Sequence, residues 1–202
     1  MNPGQPRRCI AFAGNRRIAS GELAHVALKT KEVIDRGEHP PVLIFDEETS
    51  EPIDLDLRGT DDEVLKRLAK KARKSGSAAA PAEPEAEAPR GPGRPKLGVV
   101  AREVTLLPRH WDWLNSQPGG ASVTLRKLVE EARRANAEKD RIRQAQESAY
   151  RFMSAMAGNQ PGFEEATRAL FAGNPERFDT CVTRWPADVR DHARKLATAT
   201  FQ

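Results

Sequence analysis

The 202-residue chain has few of the features that mark a secreted, membrane-spanning or zinc-binding protein. Its only two cysteines, Cys9 and Cys181, lie at opposite ends, without the close spacing of zinc ligands or the number that a disulfide framework needs. The longest apolar runs, such as 42–45, are too short to cross a bilayer, and the first residues carry cations without the apolar core of a signal peptide. We therefore expect a cytoplasmic protein with reduced thiols and no membrane segment.

Motifs of catalysis and of metal binding are also scarce. The sequence has no P-loop and no Gly-x-Ser-x-Gly, and neither cysteine has a local histidine partner. The isolated histidines are His25, His39, His110 and His192. An acidic group near the N-terminus lacks the ligand pattern of a calcium loop, and we interpret it as a solvated face. Its members are Asp46, Glu47, Glu48, Asp54, Asp56, Asp61 and Asp62. These absences predict that the protein is not an enzyme and has no cofactor or metal.

The charge of the chain is unevenly distributed. The net charge is +4, but residues 89–136 carry nine Lys or Arg against four Asp or Glu, a local excess of +5. Residues 76–88 carry three acidic side chains and no cation. A basic surplus is typical of a phosphate-binding surface, although it attracts an acidic protein partner equally well.

Residues 1–74 predict a small α+β domain with the element order ββαββα. A short apolar strand at 9–13, a Gly14-Asn15 turn and a return at 16–19 are typical of a hairpin. Ser20 is the predicted N-cap of the helix that follows.

The second half of this domain contains two more predicted strands and a helix. The first helix ends near Gly37, because glycine adopts the positive φ of a helix C-terminus. Residues 42–45 predict a buried strand, and 53–57 alternate strictly between apolar and acidic residues, which predicts another. Thr60 is the predicted cap of the last helix.

Residues 75–97 predict a disordered linker, rich in Pro, Ala and Glu and without an apolar face to bury. Its basic end contains the sequence Gly93-Arg94-Pro95 between further cations. This segment resembles an AT-hook, a motif that enters the minor groove of A·T-rich DNA. The resemblance implies that Arg90, Arg94 and Lys96 contact DNA. The alternative is a Pro/Gly hinge that happens to carry cations.

Residues 98–136 have the order strand, helix, glycine turn and helix. We predict a strand at 99–107, a helix from Pro108 through Leu114, and a second helix capped by Ser122. The order resembles the ribbon-helix-helix DNA-binding regulators. The resemblance implies a homodimer through residues 98–136, with its strands in the major groove. It also implies a phosphate clamp formed by Ser122 and the amides around Gly120 and Ala121. The DNA-contacting residues assigned to this part are Arg102, Gly120, Ser122, Arg126 and Lys127.

The alternative interpretation of residues 98–136 is an ordinary core. In it, Trp111 and Leu114 are buried against Leu125, Leu128 and Val129. The two interpretations remain open from the sequence.

Residues 137–202 predict three or four short helices in a small bundle. Asn174-Pro175 and Trp185-Pro186 are typical helix starts, and His192 lies beside an apolar stripe, where we expect it to be packed or at the surface rather than a ligand. Together, 98–202 form the predicted second domain, a strand followed by a mostly α-helical bundle.

Several segments resemble a bacterial family known as domain of unknown function 2239. They are residues 42–46 with 53–59, residues 93–114, and Gly119-Gly120-Ala121-Ser122 leading into 128–133. The resemblance spans nearly the full chain. It implies a bacterial cytoplasmic protein and assigns no activity, cofactor or site residue.

The sequence therefore predicts a DNA-binding regulator or chromosome-associated protein, with duplex DNA as its partner and no membrane. The alternative is a protein-interaction module, in which the N-terminal domain and the basic helix recruit an acidic partner. An enzyme would need a pocket that the sequence does not predict.

Overall fold

A computed structural model of the protein describes residues 8–37, 41–77, 100 and 102–201. Its fold is mixed α+β, as predicted: a three-stranded antiparallel sheet near the N-terminus precedes a mostly helical region. Within the described ranges, no helix is both long and apolar enough to cross a membrane.

The sheet is built around its first strand. β1 (Arg8–Ala13) lies between β2 (Arg16–Glu22) and β3 (Val42–Asp46), and both pairings are antiparallel. The Gly14-Asn15 turn joins β1 to β2, which confirms the predicted hairpin.

The two faces of β1 contribute to different cores, because successive side chains of a strand point in opposite directions. Phe12 packs with Phe45 of β3 and with Phe152, whose ring centroid lies 5.4 Å from that of Phe12. Ala11 faces the other way and joins a smaller cluster with Val26. The central strand is therefore covered on both sides.

The first helix, α1 (Leu23–Asp35), begins later than predicted. Ser20 is not its N-cap, because Ser20 pairs with Ile10 and β2 continues to Glu22. Gly37 follows the helix with φ 75°, which confirms the predicted end.

The predicted strand at 53–57 is wrong. Among the described residues, an isolated bridge between Phe45 and Pro52 is all that continues the sheet, and residues 53–60 contain no strand. Arg67 of the next helix donates to the carbonyl oxygen of Asp56 at 3.0 Å, so a side chain occupies an acceptor that a neighbouring strand would have used.

The next helix, α2 (Asp61–Ser77), begins where it was predicted. The amide of Glu63 donates to Oγ1 of Thr60 at 3.3 Å, and the Thr60 amide donates to Oε2 of Glu63 at 2.8 Å. These reciprocal bonds form a capping box and confirm Thr60 as the cap.

Five helices make up the rest of the described chain. They are α3 (Pro108–Ser116), α4 (Gly120–Ala157), α5 (Phe163–Phe171), α6 (Pro175–Val182) and α7 (Ala187–Thr198). Asn174 caps α6 by accepting from the amide of Arg177 at 2.9 Å, as the Asn-Pro pair predicted. The sequence analysis described residues 98–136 and 137–202 separately, but α4 runs through both without interruption, because residues 121–157 contain no glycine or proline.

Two predictions in residues 98–136 are wrong. Residues 102–107 have no regular secondary structure, because no described strand pairs with them. Ser122 is not an N-cap, since α4 begins at Gly120 and Ser122 lies in its first turn.

The chain divides into two compact units that differ from the predicted domains. The described residues of Met1–Lys74 and Glu138–Gln202 form the first unit, and those of Ser75–Ala137 form the second. The difference arises because Phe12 and Phe45 share a core with Phe152. Of the predicted linker 75–97, all but the last three residues of α2 lie outside the described chain.

Candidate nucleic-acid interface

The candidate interface lies in the second unit, where a glycine turn joins α3 to α4. Pro108 occupies the first turn of α3, where its missing amide costs no helical hydrogen bond. Gly119 has φ 89°, and a Cβ atom on it would lie 3.2 Å from Cβ of Val123. Only glycine suits this conformation and this close approach.

Four of the predicted DNA-contacting residues lie in the first turns of α4. They are Gly120, Ser122, Arg126 and Lys127, and all but Gly120 are exposed. Arg102 is exposed in the irregular segment before α3. The other predicted contacts lie outside the described residues: Arg90, Arg94 and Lys96.

The predicted phosphate clamp is partly occupied. The amide of Gly120 donates to the carbonyl oxygen of Gln117 at 3.0 Å, which closes the turn between the helices. The following amides of a first helical turn have no acceptor inside the helix. In the predicted clamp, the amides of Ala121 and Ser122 therefore have no acceptor within α4. The amide of Gly120 is already bound to Gln117.

The cations of α4 differ in how they are paired. Arg133 and Arg134 both lie close to Glu130, at 3.0 and 3.2 Å. Arg126 and Lys127 form no ion pair within the described chain. The described part of the second unit carries six cationic and four acidic side chains, so the larger excess of residues 89–136 depends on the three cations outside it.

The predicted burial of the second unit is correct for one side chain and wrong for three. Leu114 is buried, with 2% of its surface exposed. Trp111, Leu128 and Val129 are exposed, because no described element covers them. The sequence pattern marks an apolar face correctly but does not identify what packs on it.

A cleft of about 480 Å³ in the first unit was not predicted. It lies between the loop after β3, α4 and α7. Ser148 of α4 donates to the carbonyl oxygen of Glu48 at 2.8 Å, and it therefore accepts from the Ser50 hydroxyl at 2.9 Å. Ser50 is buried with φ 54°. Ser50 and Ser148 are 98 residues apart in the chain, so no local sequence pattern predicts their hydrogen bond.

Acidic side chains of this loop bind groups of the protein itself. Asp46 is buried, contrary to a solvated face, and its Oδ1 accepts from the amides of Glu48 and Thr49. Glu47 accepts from Arg8 at 2.9 Å and from Lys195. Burial by itself raises the pKa of Glu47, but the hydrogen bonds from both cations outweigh it and lower that pKa below its usual value. The loop is therefore held to β1 and α7 by charge.

The histidines do not assemble with other metal-binding groups. His192 is packed, one of the two placements that the sequence allowed, and its ring centroid lies 4.5 Å from that of Phe152. His25 and His110 are exposed, and His39 lies outside the described residues. Among the side chains that the structure describes, no three His, Cys, Asp or Glu groups are placed to hold a metal ion.

Comparison with known proteins gives one match. No curated protein and no solved structure matches the chain. A family model described as an uncharacterized protein conserved in bacteria matches residues 8–197, which is nearly the whole sequence and includes both compact units. The chain therefore belongs to this bacterial family, domain of unknown function 2239.

Proposed function

We propose that the protein binds duplex DNA through its second unit, without catalysis, as a DNA-binding regulator or chromosome-associated protein. The observation that carries this proposal is the placement of Arg126 and Lys127. Both are exposed near the start of α4 and have no ion pair among the described residues, unlike the neighbouring Arg133 and Arg134.

The physical argument rests on phosphate neutralisation. Each phosphate that a cation neutralises releases condensed counterions, which makes affinity strongly dependent on salt. The N-terminal end of a helix adds a positive partial charge near the same cations. The resemblance of the segment around Gly93-Arg94-Pro95 to an AT-hook supports an additional preference for A·T-rich DNA.

A paired substitution tests which cations bind. We expect Arg126→Ala with Lys127→Ala to weaken binding to a fluorescent duplex and to reduce the slope of log affinity against log salt by about 2, because each lost phosphate contact removes about 0.9. The matched control is Lys29→Ala with Arg36→Ala, which removes two charges from α1 and its C-terminal cap, where both cations pair with Glu32.

The control should leave the salt slope unchanged. An equal loss of affinity in both double variants would show that only net charge matters and would contradict the assignment to α4.

The second candidate function is a module that recruits an acidic protein partner. Exposed apolar side chains in the same unit favour it, since large exposed patches mark interaction surfaces. Trp113 and Val129 are the clearest, with 50% and 64% of their surfaces exposed. Binding of polyglutamate without any binding of duplex DNA would favour this function over the first.

A further inference from the structure

The second unit has almost no core of its own. Among its described residues, Leu114 is the only buried side chain. Large apolar side chains remain exposed on both of its helices, including Trp113 of α3 and Leu128 and Val129 of α4. Because burial of apolar surface is the main driving force of folding, this surface is expected to be covered by a partner.

The exposed residues of α4 form a regular stripe. Leu125, Leu128, Val129 and Ala132 have the spacing that places residues on one side of a helix. Leu125 is half-buried and the other three are exposed. We call these four residues the apolar face of α4.

The segment before α3 lacks hydrogen-bond partners for its backbone. No backbone hydrogen bond of residues 102–106 is formed within the described ranges, and residues 102–105 are exposed. Val104 and Thr105 are β-branched, which favours a strand. A strand forms only when another strand supplies the missing donors and acceptors.

The sequence of this segment is complementary to itself. In an antiparallel pair of identical strands, the residue on the two-fold axis faces its own copy. An axis at Arg102 or Glu103 would place like charges opposite each other, which is unfavourable. An axis at Thr105 places Thr opposite Thr and Val104 opposite Leu106, and both pairs are favourable. It places Glu103 opposite Leu107, so no like charges face each other.

We propose that a second copy of this chain covers the exposed apolar surface of the second unit. Residues 103–107 of the two copies pair as antiparallel strands centred on Thr105, and the apolar face of α4 is buried in the same interface. This inference does not rest on the proposed function, because the interface forms without DNA.

Sedimentation of the full chain in the absence of DNA tests the second copy. We expect a mass of twice 22.3 kDa that falls to the monomer on dilution. Val129→Glu should weaken association at least about tenfold, because it places a charge in the interface. The matched control is Ile34→Glu, at an exposed apolar residue of α1 in the first unit, and it should leave association unchanged.

A monomer at every concentration overturns the proposal, as does an equal effect of the two substitutions. Neither result depends on DNA affinity, so failure of this interface and failure of the proposed function are distinguishable.

Single cysteines test the pairing of the strands. In a Cys181→Ala background, with Cys9 fully buried, we expect oxidation to link two chains most efficiently for Thr105→Cys. Residues on the axis face each other at the Cα separation of about 4.4–6.8 Å that a disulfide needs. Cysteines at 103, 104 and 106 are the controls. Cross-linking that is absent or equal at all four positions overturns the pairing, and a maximum elsewhere overturns the register.

Discussion

At the scale of single residues, His192 is the buried group whose protonation opposes folding. Its side chain is 3% exposed, and Nε2 has no hydrogen-bond partner among the described residues. Burial, together with the nearby charges of Lys195 and Arg17, lowers the pKa of His192 to about 4, and the opposing charge of Glu47 only partly offsets them. The neutral ring packs with Phe152, so a proton must be excluded for this core to form.

This depressed pKa predicts a loss of stability in acid. In the unfolded chain this histidine binds a proton at about pH 6.5. The stability that the neutral His192 ring contributes is therefore fully present above that pH and is lost as the pH falls toward 4. The total loss is about 3 kcal/mol. We expect His192→Leu to lose about 2 kcal/mol less than the unmodified chain between about pH 7 and about pH 5, measured by urea unfolding.

His25→Leu is the matched control, because His25 is exposed on α1. If the two variants lost the same stability between about pH 7 and about pH 5, the buried ring of His192 would not be the source of the acid sensitivity.

At the scale of elements, side chains of α2 bind the backbone of residues 53–57, where the sequence predicted a strand. The alternation of 53–57 is real: Ile53 and Leu55 are half-buried, whereas Asp54 is exposed. However, Lys71 of α2 donates to the Asp54 carbonyl oxygen at 3.4 Å, so this acceptor is bound by a side chain. An alternating sequence specifies which side chains face the core, but not which groups bond to the backbone.

The start of α2 predicts a measurable capping contribution. Thr60→Ala should lower the free energy of unfolding by about 1 kcal/mol, because it removes a hydrogen bond to the Glu63 amide. Ser122→Ala is the matched control, at an exposed residue inside the first turn of α4. It should change stability by less than about 0.5 kcal/mol. Urea unfolding followed by circular dichroism measures both, and a larger loss for Ser122→Ala would contradict the two cap assignments.

Local chemistry explains which elements were predictable. The caps at Thr60 and Asn174 depend on residues three positions away, and both were correct. Among the candidate contacts, Arg126 and Lys127 are exposed as a charged helix face predicts. The predicted burial of Trp111 was wrong. An apolar helix face indicates that another surface packs against it, but it does not identify that surface.

At the scale of the whole molecule, the second unit is inserted between two segments of the first. The strand residues Phe12 and Phe45 share a core with Phe152 of α4, more than 100 residues later. The composition of the chain changes before residue 98, and this change predicted a domain boundary there. A sequence does not show which apolar stripes far apart in the chain pack together. For the same reason, the contact between Ser50 and Ser148 was not predicted.

We propose that the protein binds duplex DNA through the cations of its second unit. The most direct measurement is the affinity of the unmodified chain for A·T-rich and G·C-rich duplexes in a salt series starting at about 50 mM, where electrostatic binding is strong. We predict binding to both duplexes, tighter to the A·T-rich one, with a slope of log affinity against log salt steeper than about −2. No detectable binding at about 50 mM salt, or an affinity that does not change with salt, would show that these cations do not bind DNA phosphate.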